Sequence, residues 1–234
     1  MKAKISFLAL ACLAFAFMLT LPCLAGMWRD DFEDGNLDDW KQEEPFANQP
    51  TLWTIVDGEL ECTRPSEGST FLITGEADWK DYTIEYDVKL LKDIGPGDVD
   101  VVARYKSPAW TYMMLAFSGD FPGVPVVATV CFPGSVLTSK LFDPLELDKW
   151  HHLKLEVKDK NFIFWVNGKI ALERQDDVVK EGAVGIGLAN YTARFDNVII
   201  TGSDVPDVTP PTWKGRPVQP RGKQATTWGE IKRR

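Results

Sequence analysis

The sequence predicts an all-β fold, an antiparallel two-sheet sandwich of the jelly-roll type. Apolar and polar residues alternate with period two from residue 52 to residue 200, and no segment keeps an apolar stripe at helical spacing for three turns. Turn residues separate about twelve short predicted strands and leave no room for crossover helices between them. Both observations indicate strands that pair with their antiparallel neighbours.

In the first half of the chain, Asp57-Gly58 is a hairpin turn signal between strands at 53–56 and 59–62. A short strand follows at 71–73. The clearest alternation runs from 82 to 90, where every second residue is apolar, so one face should pack and the other should meet solvent. Gly95-Pro96-Gly97 then predicts a break before strands at 99–105 and 112–117.

The second half continues the same pattern. Asn167-Gly168 predicts a second hairpin, which joins strands at 162–166 and 170–172. The remaining strands are predicted at 124–132, 135–141, 153–157, 184–188 and 195–200.

The N-terminus has the pattern of a signal peptide, residues 1–25. Lys2 and Lys4 precede a nearly unbroken apolar run to Pro22, and Cys23-Leu24-Ala25 supplies small residues for cleavage after Ala25. An uncleaved signal anchor is the alternative, since about 18 apolar residues can span a bilayer. Lipidation at Cys23 is less favoured because Pro22 precedes it. We therefore expect an exported chain, secreted, periplasmic or at the cell surface, with no membrane span in its mature part.

Charge is unevenly distributed in the mature chain. Removing two signal lysines from 26 basic residues leaves 24 against 34 acidic residues, a net charge of −10. This acidic domain argues against nucleic acid as a partner and is compatible with divalent cations. The domain is predicted over 27–203, followed by a Pro-rich, basic and disordered tail over 204–234 with an extended linker to residue 225. Its last residues are either a docking peptide or a disordered end.

Two cysteines, Cys62 and Cys131, remain after the signal peptide. An even pair in an exported protein is typical of a disulfide. Two buried thiols in different strands fit the sequence equally well, so both alternatives stay open.

Several motifs resemble the concanavalin A-like, or laminin G-like, jelly-roll superfamily. In particular, the chain is similar to bacterial domains grouped as the 3-keto-disaccharide hydrolase family, over about residues 28–201. The resemblance is carried by Asp31-Phe32-x-Asp34-Gly35-x-Leu37-x-x-Trp40, Trp53 with 57–60, and the segments 72–75, 81–85, 103–105, 150–155, 165–169 and 195–198.

The resemblance implies a structural calcium site. In similar carbohydrate-binding jelly rolls, a glutamate near the start and an aspartate in the last strand coordinate calcium with the help of carbonyl groups. Glu33 and Asp196 occupy those positions here. Calcium takes six to eight oxygen ligands, so two carboxylates with carbonyls and water form a reasonable set. The alternative is a surface carboxylate and a hydrogen-bonded strand residue.

Five residues are candidates for glycan binding. Sugar sites combine aromatic side chains with planar hydrogen-bonding groups, and two predicted loops carry such residues. Arg104, Trp110 and Tyr112 flank one turn, and Asn190 and Tyr191 precede the last strand. The alternative is that these aromatic side chains only pack against the sandwich.

No catalytic residue is predicted. Glu85-x-Asp87 copies two carboxylates of a glycosidase strand motif, but Lys89 stands where the acid belongs, so a polar strand face is favoured. His151 and His152 are adjacent and should point to opposite faces. The leading prediction is an exported, non-catalytic, lectin-like module that binds an extracellular polysaccharide or glycan. A glycoside-processing hydrolase of the 3-keto-disaccharide type and a cell-surface protein-interaction module are the alternatives.

Overall fold

The computed structural model describes residues 25–44, 52–63, 69–118, 127–132 and 135–208. The predicted signal segment up to Leu24 and the tail from residue 209 onward lie outside the described residues. Within the described ranges, no helix is long and apolar enough to cross a membrane.

All regular secondary structure in these ranges is β-strand, and every strand pair is antiparallel, which confirms the predicted fold class. The strands are β1 (Gly26–Asp30), β2 (Lys41–Glu43), β3 (Leu52–Val56), β4 (Glu59–Thr63), β5 (Ser69–Thr74), β6 (Tyr82–Ser107), β7 (Trp110–Ala116), β8 (Val127–Phe132), β9 (Ser135–Lys140), β10 (Trp150–Lys158), β11 (Asn161–Val166), β12 (Lys169–Gln175) and β13 (Ala183–Gly202).

Two long strands, β6 and β13, pair with each other and run through both layers of the sandwich. The front layer contains β12, β11, β10, the first half of β6, the second half of β13, and β1, β3 and β4. The back layer contains β9, β8, β7, the second half of β6, the first half of β13, and β5 and β2. The main core lies between the layers, and the Tyr86 hydroxyl donates to the Asp100 carbonyl across it (2.9 Å).

The predicted break at Gly95-Pro96-Gly97 is wrong, because β6 continues through it. Gly97 makes the continuation possible, since a Cβ there would lie 2.1 Å from the Ala189 carbonyl oxygen on β13. Gly97 therefore lets two strands approach closely where the chain passes from one layer to the other.

Cys62 in β4 and Cys131 in β8 are both buried in the core as separate thiols. This arrangement corresponds to the second of the two alternatives, buried thiols in different strands. Each sulfur behaves there as a small apolar group.

The chain stays on the sandwich beyond residue 203, where the predicted tail begins. Val205 is buried in the core, and Val208 pairs with Trp28 of β1. Arg29 N–H donates to the Val208 carbonyl (3.0 Å), and Val208 N–H donates to the Met27 carbonyl (2.8 Å). Residues 204–208 thus add a short parallel segment along β1 instead of starting the predicted linker.

Candidate functional site

The outer face of the back layer is apolar, which is unusual for the outer face of a sandwich. Gly187 of β13 lies near its centre. A Cβ on Gly187 would come within 2.7 Å of Asp100 Oδ2 and 2.8 Å of Phe71 Cδ1, so the glycine makes room for both side chains. The apolar residues of this face are Phe71, Ile73, Val102, Tyr105, Met113, Leu115, Phe117, Ala128, Val130 and Ala183.

Two carboxylates interrupt this apolar surface. Asp98 and Asp100 are two residues apart on β6, so their side chains share one face of the strand. Asp100 pairs with Leu115 on one side and Gly187 on the other, and it is fully buried. Both carboxylate oxygens of Asp100 and Oδ1 of Asp98 are buried and receive no donor from another described residue, while the two carboxyl groups hydrogen-bond to each other. Together we call these two residues the aspartate pair.

Burial controls the protonation of the aspartate pair. It raises the pKa of Asp98 to about 6. It raises the pKa of Asp100 well above the usual value, and the charge of Asp98 adds to that effect. Burial therefore favours the protonated form of both carboxyl groups; a protonated carboxyl can donate a hydrogen bond or a proton, and an ionised one can accept it.

The edge of this site lies where β13 bulges. Ala189 pairs with Asp98, which is only partly buried, and Asn190 follows with a φ of 55°. A Cβ on Gly97 would lie 2.8 Å from the Asn190 Cβ, so Asn190 lies beside the approach to Asp98. The Tyr191 hydroxyl donates to the Gly97 carbonyl (3.1 Å), and its ring is buried. Asn190 is thus at the rim of the site, while Tyr191 supports the backbone behind it.

Arg104 is an interior residue and not part of an accessible sugar surface. Its side chain is 2% exposed, and its Nη1 donates to the Val179 carbonyl (3.0 Å). Its Nη2 donates to the carbonyls of Lys80 (3.3 Å) and Asp159. The guanidinium therefore ties three loops together, because buried carbonyls need donors.

Tyr112 is likewise interior. Its ring packs against Phe162 with centroids 4.5 Å apart, and its hydroxyl is hydrogen-bonded to Asp176 and Val179. Trp110, by contrast, is 47% exposed at the turn between β6 and β7. The five predicted sugar residues therefore do not form one site: Asn190 and Tyr191 lie near the aspartate pair, and the other three lie at the β6–β7 end.

The predicted calcium ligands lie near a kink of β13. Asp196 follows Phe195, the last β13 residue that pairs with β4, and its side chain is buried. The Glu33 carboxylate stands above Gly58, 2.9 Å from the position of a Cβ there, just before β4 begins. Among the described residues, no group of three or more Asp, Glu, His or Cys side chains is arranged to hold a metal ion. Calcium would fit here only with four or more ligands from carbonyls and water.

The outer face of the front layer is polar, and its charges are paired. His152 Nδ1 lies 2.9 Å from Asp87 Oδ1, and its Nε2 lies 3.6 Å from Glu85 Oε2. Burial lowers the pKa of His152, but the hydrogen bonds with the two carboxylates outweigh this effect and raise it to about 9. Asn197 donates to Asp87 Oδ2 (3.0 Å). Glu85 and Asp87 thus belong to a polar strand face, as expected.

The aspartate pair was not predicted from the sequence. The signal for it is that Asp98 and Asp100 alternate with Val99 and Val101, next to a mostly apolar segment. Alternation made them look like solvent-facing residues, because period two cannot distinguish an outer face exposed to water from one that is itself buried.

The structure defines the class of domain: it is a two-layer antiparallel jelly roll with carboxylates on the face of one sheet. The chain belongs to the family described as 3-keto-alpha-glucoside-1,2-lyase-like domain, whose model matches residues 27–201. This match confirms the family resemblance inferred from the motifs.

A levanase of Bacillus subtilis (strain 168) is 25% identical over 159 residues, which cover 66% of this chain and 23% of the levanase. The chain thus spans only about a quarter of that relative. Carbohydrate-binding module CBM66 from Bacillus subtilis is 22% identical with a TM-score of 0.57, over 70% of this chain and 95% of the module. The exoplasmic/lumenal domain of VIP36 in its Ca2+/Man3GlcNAc-bound form is 10% identical with a TM-score of 0.57. The match covers 79% of this chain and 93% of that domain. These structural likenesses show the fold.

Proposed function

We propose that this chain is an exported carbohydrate-binding domain that holds a glycan at the aspartate pair. The observation that carries the proposal is the aspartate pair, whose two carboxyl groups hydrogen-bond to each other and receive no donor from another described residue at three buried oxygens. A carboxylate accepts more than one hydrogen bond, so sugar hydroxyl groups would donate to the partly exposed Asp98, with Asp100 behind it.

The relatives support this proposal by their own properties. One solved structure of similar fold is a carbohydrate-binding module, another was solved with Man3GlcNAc, and the curated relative is a levanase. An extracellular polysaccharide or glycan is therefore the partner we propose. Export rests on the signal pattern of residues 1–25, which predicts a secreted, periplasmic or cell-surface location.

A glycan array screened with the mature chain tests the proposal, followed by calorimetric titration with the best ligand. Replacing Asp98 or Asp100 by Asn should weaken binding about tenfold or more, since a good charged hydrogen bond contributes 1.5–3 kcal/mol. Asp143→Asn is the matched control, because Asp143 is exposed and pairs only with Lys169 on the surface. Selective binding that survives both replacements would show that the glycan binds at another site. Trp110→Ala would then be the next variant to test. No binding by the folded protein to any glycan would refute the proposal.

We also propose a structural calcium ion at the β13 kink, held by Glu33, Asp196, carbonyls and water. The arrangement that supports it is the placement of both carboxylates beside the start of β4. An ion there would fasten the end of β1 to the last strand, so a chelator should lower the melting temperature. Glu33→Gln should remove the difference between calcium and chelator. An identical melting temperature in both conditions would refute the calcium site.

A second candidate function is lyase chemistry, and the placement of two carboxyl groups on one face of β6 favours it. In a 3-keto-α-glucoside, the ketone acidifies the proton on C2. The ionised carboxyl would remove that proton and the protonated one would donate to the leaving oxygen, so that the C1–O bond breaks as a C1=C2 double bond forms. Release of the aglycone from such a substrate, lost in both Asp98→Asn and Asp100→Asn, would establish the activity. Binding without release would leave the domain non-catalytic.

A further inference from the structure

A groove with aromatic walls and a polar rim lies beside the N-terminal strand, and Ile73 belongs both to its lining and to the apolar face around the aspartate pair. The volume of the groove is about 410 Å3. Trp28 and Trp40 pack edge to face in its wall, with centroids 5.3 Å apart. A second cleft of about 610 Å3 shares Trp79 and Pro206 with it. We call this surface the tryptophan groove; its apolar lining is Trp28, Trp40, Ile73, Trp79, Pro206 and Val208.

The rim of the tryptophan groove is acidic. Two lysines also line it, but they are engaged elsewhere: Lys41 pairs with Glu43 (2.5 Å) and Lys80 with Glu181 (3.6 Å). Among the described residues, none of the rim carboxylates forms an ion pair. These carboxylates, all exposed, are Asp38, Asp39, Glu76, Asp78 and Asp204.

The indole N–H groups in this part of the structure differ in their hydrogen bonding. Trp40 Nε1 donates to Asp30 Oδ2 (2.7 Å) and Trp53 Nε1 donates to Thr70 Oγ1 (3.1 Å). Trp28 and Trp79 are 5% and 2% exposed, yet neither N–H has a hydrogen-bond partner among the described residues. Neither Nε1 belongs to the buried atoms that lack a partner, so both donors are accessible from the groove beneath its acidic rim.

The chain itself leaves the described structure at this groove. Val208 lines it and is fixed by its two hydrogen bonds with β1. The 26 residues beyond it carry seven basic side chains and one acidic side chain, Glu230. Trp213, Lys214 and Arg216 follow Val208 within eight residues, a reach of roughly 26 Å when extended.

We propose that residues 212–216 of the same molecule dock in the tryptophan groove. The Trp213 ring packs beside Trp79 and Pro206, backbone carbonyls of the segment accept from the unused indole groups, and Lys214 and Arg216 face the rim carboxylates. The tether favours this occupant over a separate peptide, because eight residues hold the segment at an effective concentration in the millimolar range. The opposite charges of segment and rim act in the same direction.

Carbodiimide cross-linking of the full mature chain, read by mass spectrometry, tests this docking. Lys214 should form amide links to rim carboxylates at about 20 mM salt, and the yield should fall about fivefold or more at about 500 mM salt. Trp213→Ala should lower the yield similarly because it removes the apolar anchor. Trp228→Ala is the matched control, and it should leave the Lys214 links unchanged.

The same experiment contains the results that would overturn the proposal. Links that are spread over acidic residues across the domain, or that resist both salt and Trp213→Ala, would mean that the tether alone produces them. An equal mixture of 15N-labelled and unlabelled protein distinguishes docking within one molecule from docking of a second copy. Links between differently labelled chains would assign the groove to a second copy and refute docking within one molecule.

Discussion

Replacing both members of the aspartate pair by Asn should change how stability depends on pH. Burial raises the pKa of Asp98 from 3.8 to about 6, so the folded state holds this proton more tightly than the unfolded state. The contribution of protonated Asp98 to the free energy of unfolding is fully present below pH 3.8 and is lost as the pH rises through about 6. The rise corresponds to about 3 kcal/mol, reduced to about 2 kcal/mol because Asp98 is partly exposed. Asp100, whose pKa lies well above 3.8, acts in the same direction.

Urea unfolding of the wild type and of Asp98→Asn/Asp100→Asn, at about one-unit steps between pH 4 and pH 7, measures the effect. The free energy of unfolding of the wild type relative to the variant should fall by at least about 2 kcal/mol across this range. Asp143→Asn should follow the wild type. Burial also raises the pKa of Asp30, but Asp30 is present in all three proteins and its contribution cancels. Parallel profiles for wild type and double variant would refute the buried-carboxylate argument.

The same variant distinguishes a binding role from a structural one. A pair of carboxylates kept only for stability would be replaced at a cost, whereas a pair kept for a ligand is replaced with a gain in stability and a loss of binding. We expect the double variant to be more stable than the wild type at pH 7 and weaker toward its glycan.

Three further changes test other parts of the structure. His152→Gln should lower the free energy of unfolding by about 1–2 kcal/mol below pH 6.5, a value reduced by solvent screening because the side chain is 35% exposed. The loss should disappear as the pH rises through about 9. Urea unfolding at pH 6 and pH 9.5 measures it, and an equal difference from the wild type at both pH values would contradict the prediction. Arg104→Met should lower the free energy of unfolding by about 3–5 kcal/mol, because it leaves the three loop carbonyls without donors. Thermal or urea unfolding measures this, and an unchanged stability would contradict the interior role of Arg104. Gly187→Ala should lower the free energy of unfolding by about 1–3 kcal/mol and weaken glycan binding, because the new Cβ would displace Asp100 and Phe71. Full glycan affinity in calorimetric titration would contradict the proposed location of the site.

Local signals in the sequence predicted the strands and hairpins well. Along Tyr82–Leu90 the apolar positions are buried and the alternate positions are more exposed, as the period-two pattern requires. Both hairpin turns form where expected, with positive φ at Asp57 (56°) and Asn167 (49°) and at the glycines that follow them. These features depend on a few adjacent residues, so they can be inferred without knowledge of the tertiary fold.

The candidate site was harder to predict because it depends on contacts between distant residues. Arg104 has a φ of 49° within β6, and its guanidinium reaches carbonyls that are 24 to 75 residues away along the chain. Nothing near Arg104 in the sequence distinguishes it from a surface arginine that binds a sugar. Asp100 likewise depends on Gly187, 87 positions later, whose missing side chain makes room for it.

The contrast between the two outer faces favours the back layer as the functional one. On the front layer, Glu85, Asp87 and His152 satisfy one another, so that face is complete without a ligand. On the back layer, Asp98 and Asp100 lie among apolar side chains and hydrogen-bond to each other, with no donor from another described residue to three buried oxygens. A fold under selection for stability alone would replace them by apolar residues of similar size, which the surrounding face already contains. The presence of two carboxyl groups on this face is therefore best accounted for by a ligand that donates hydrogen bonds to the pair.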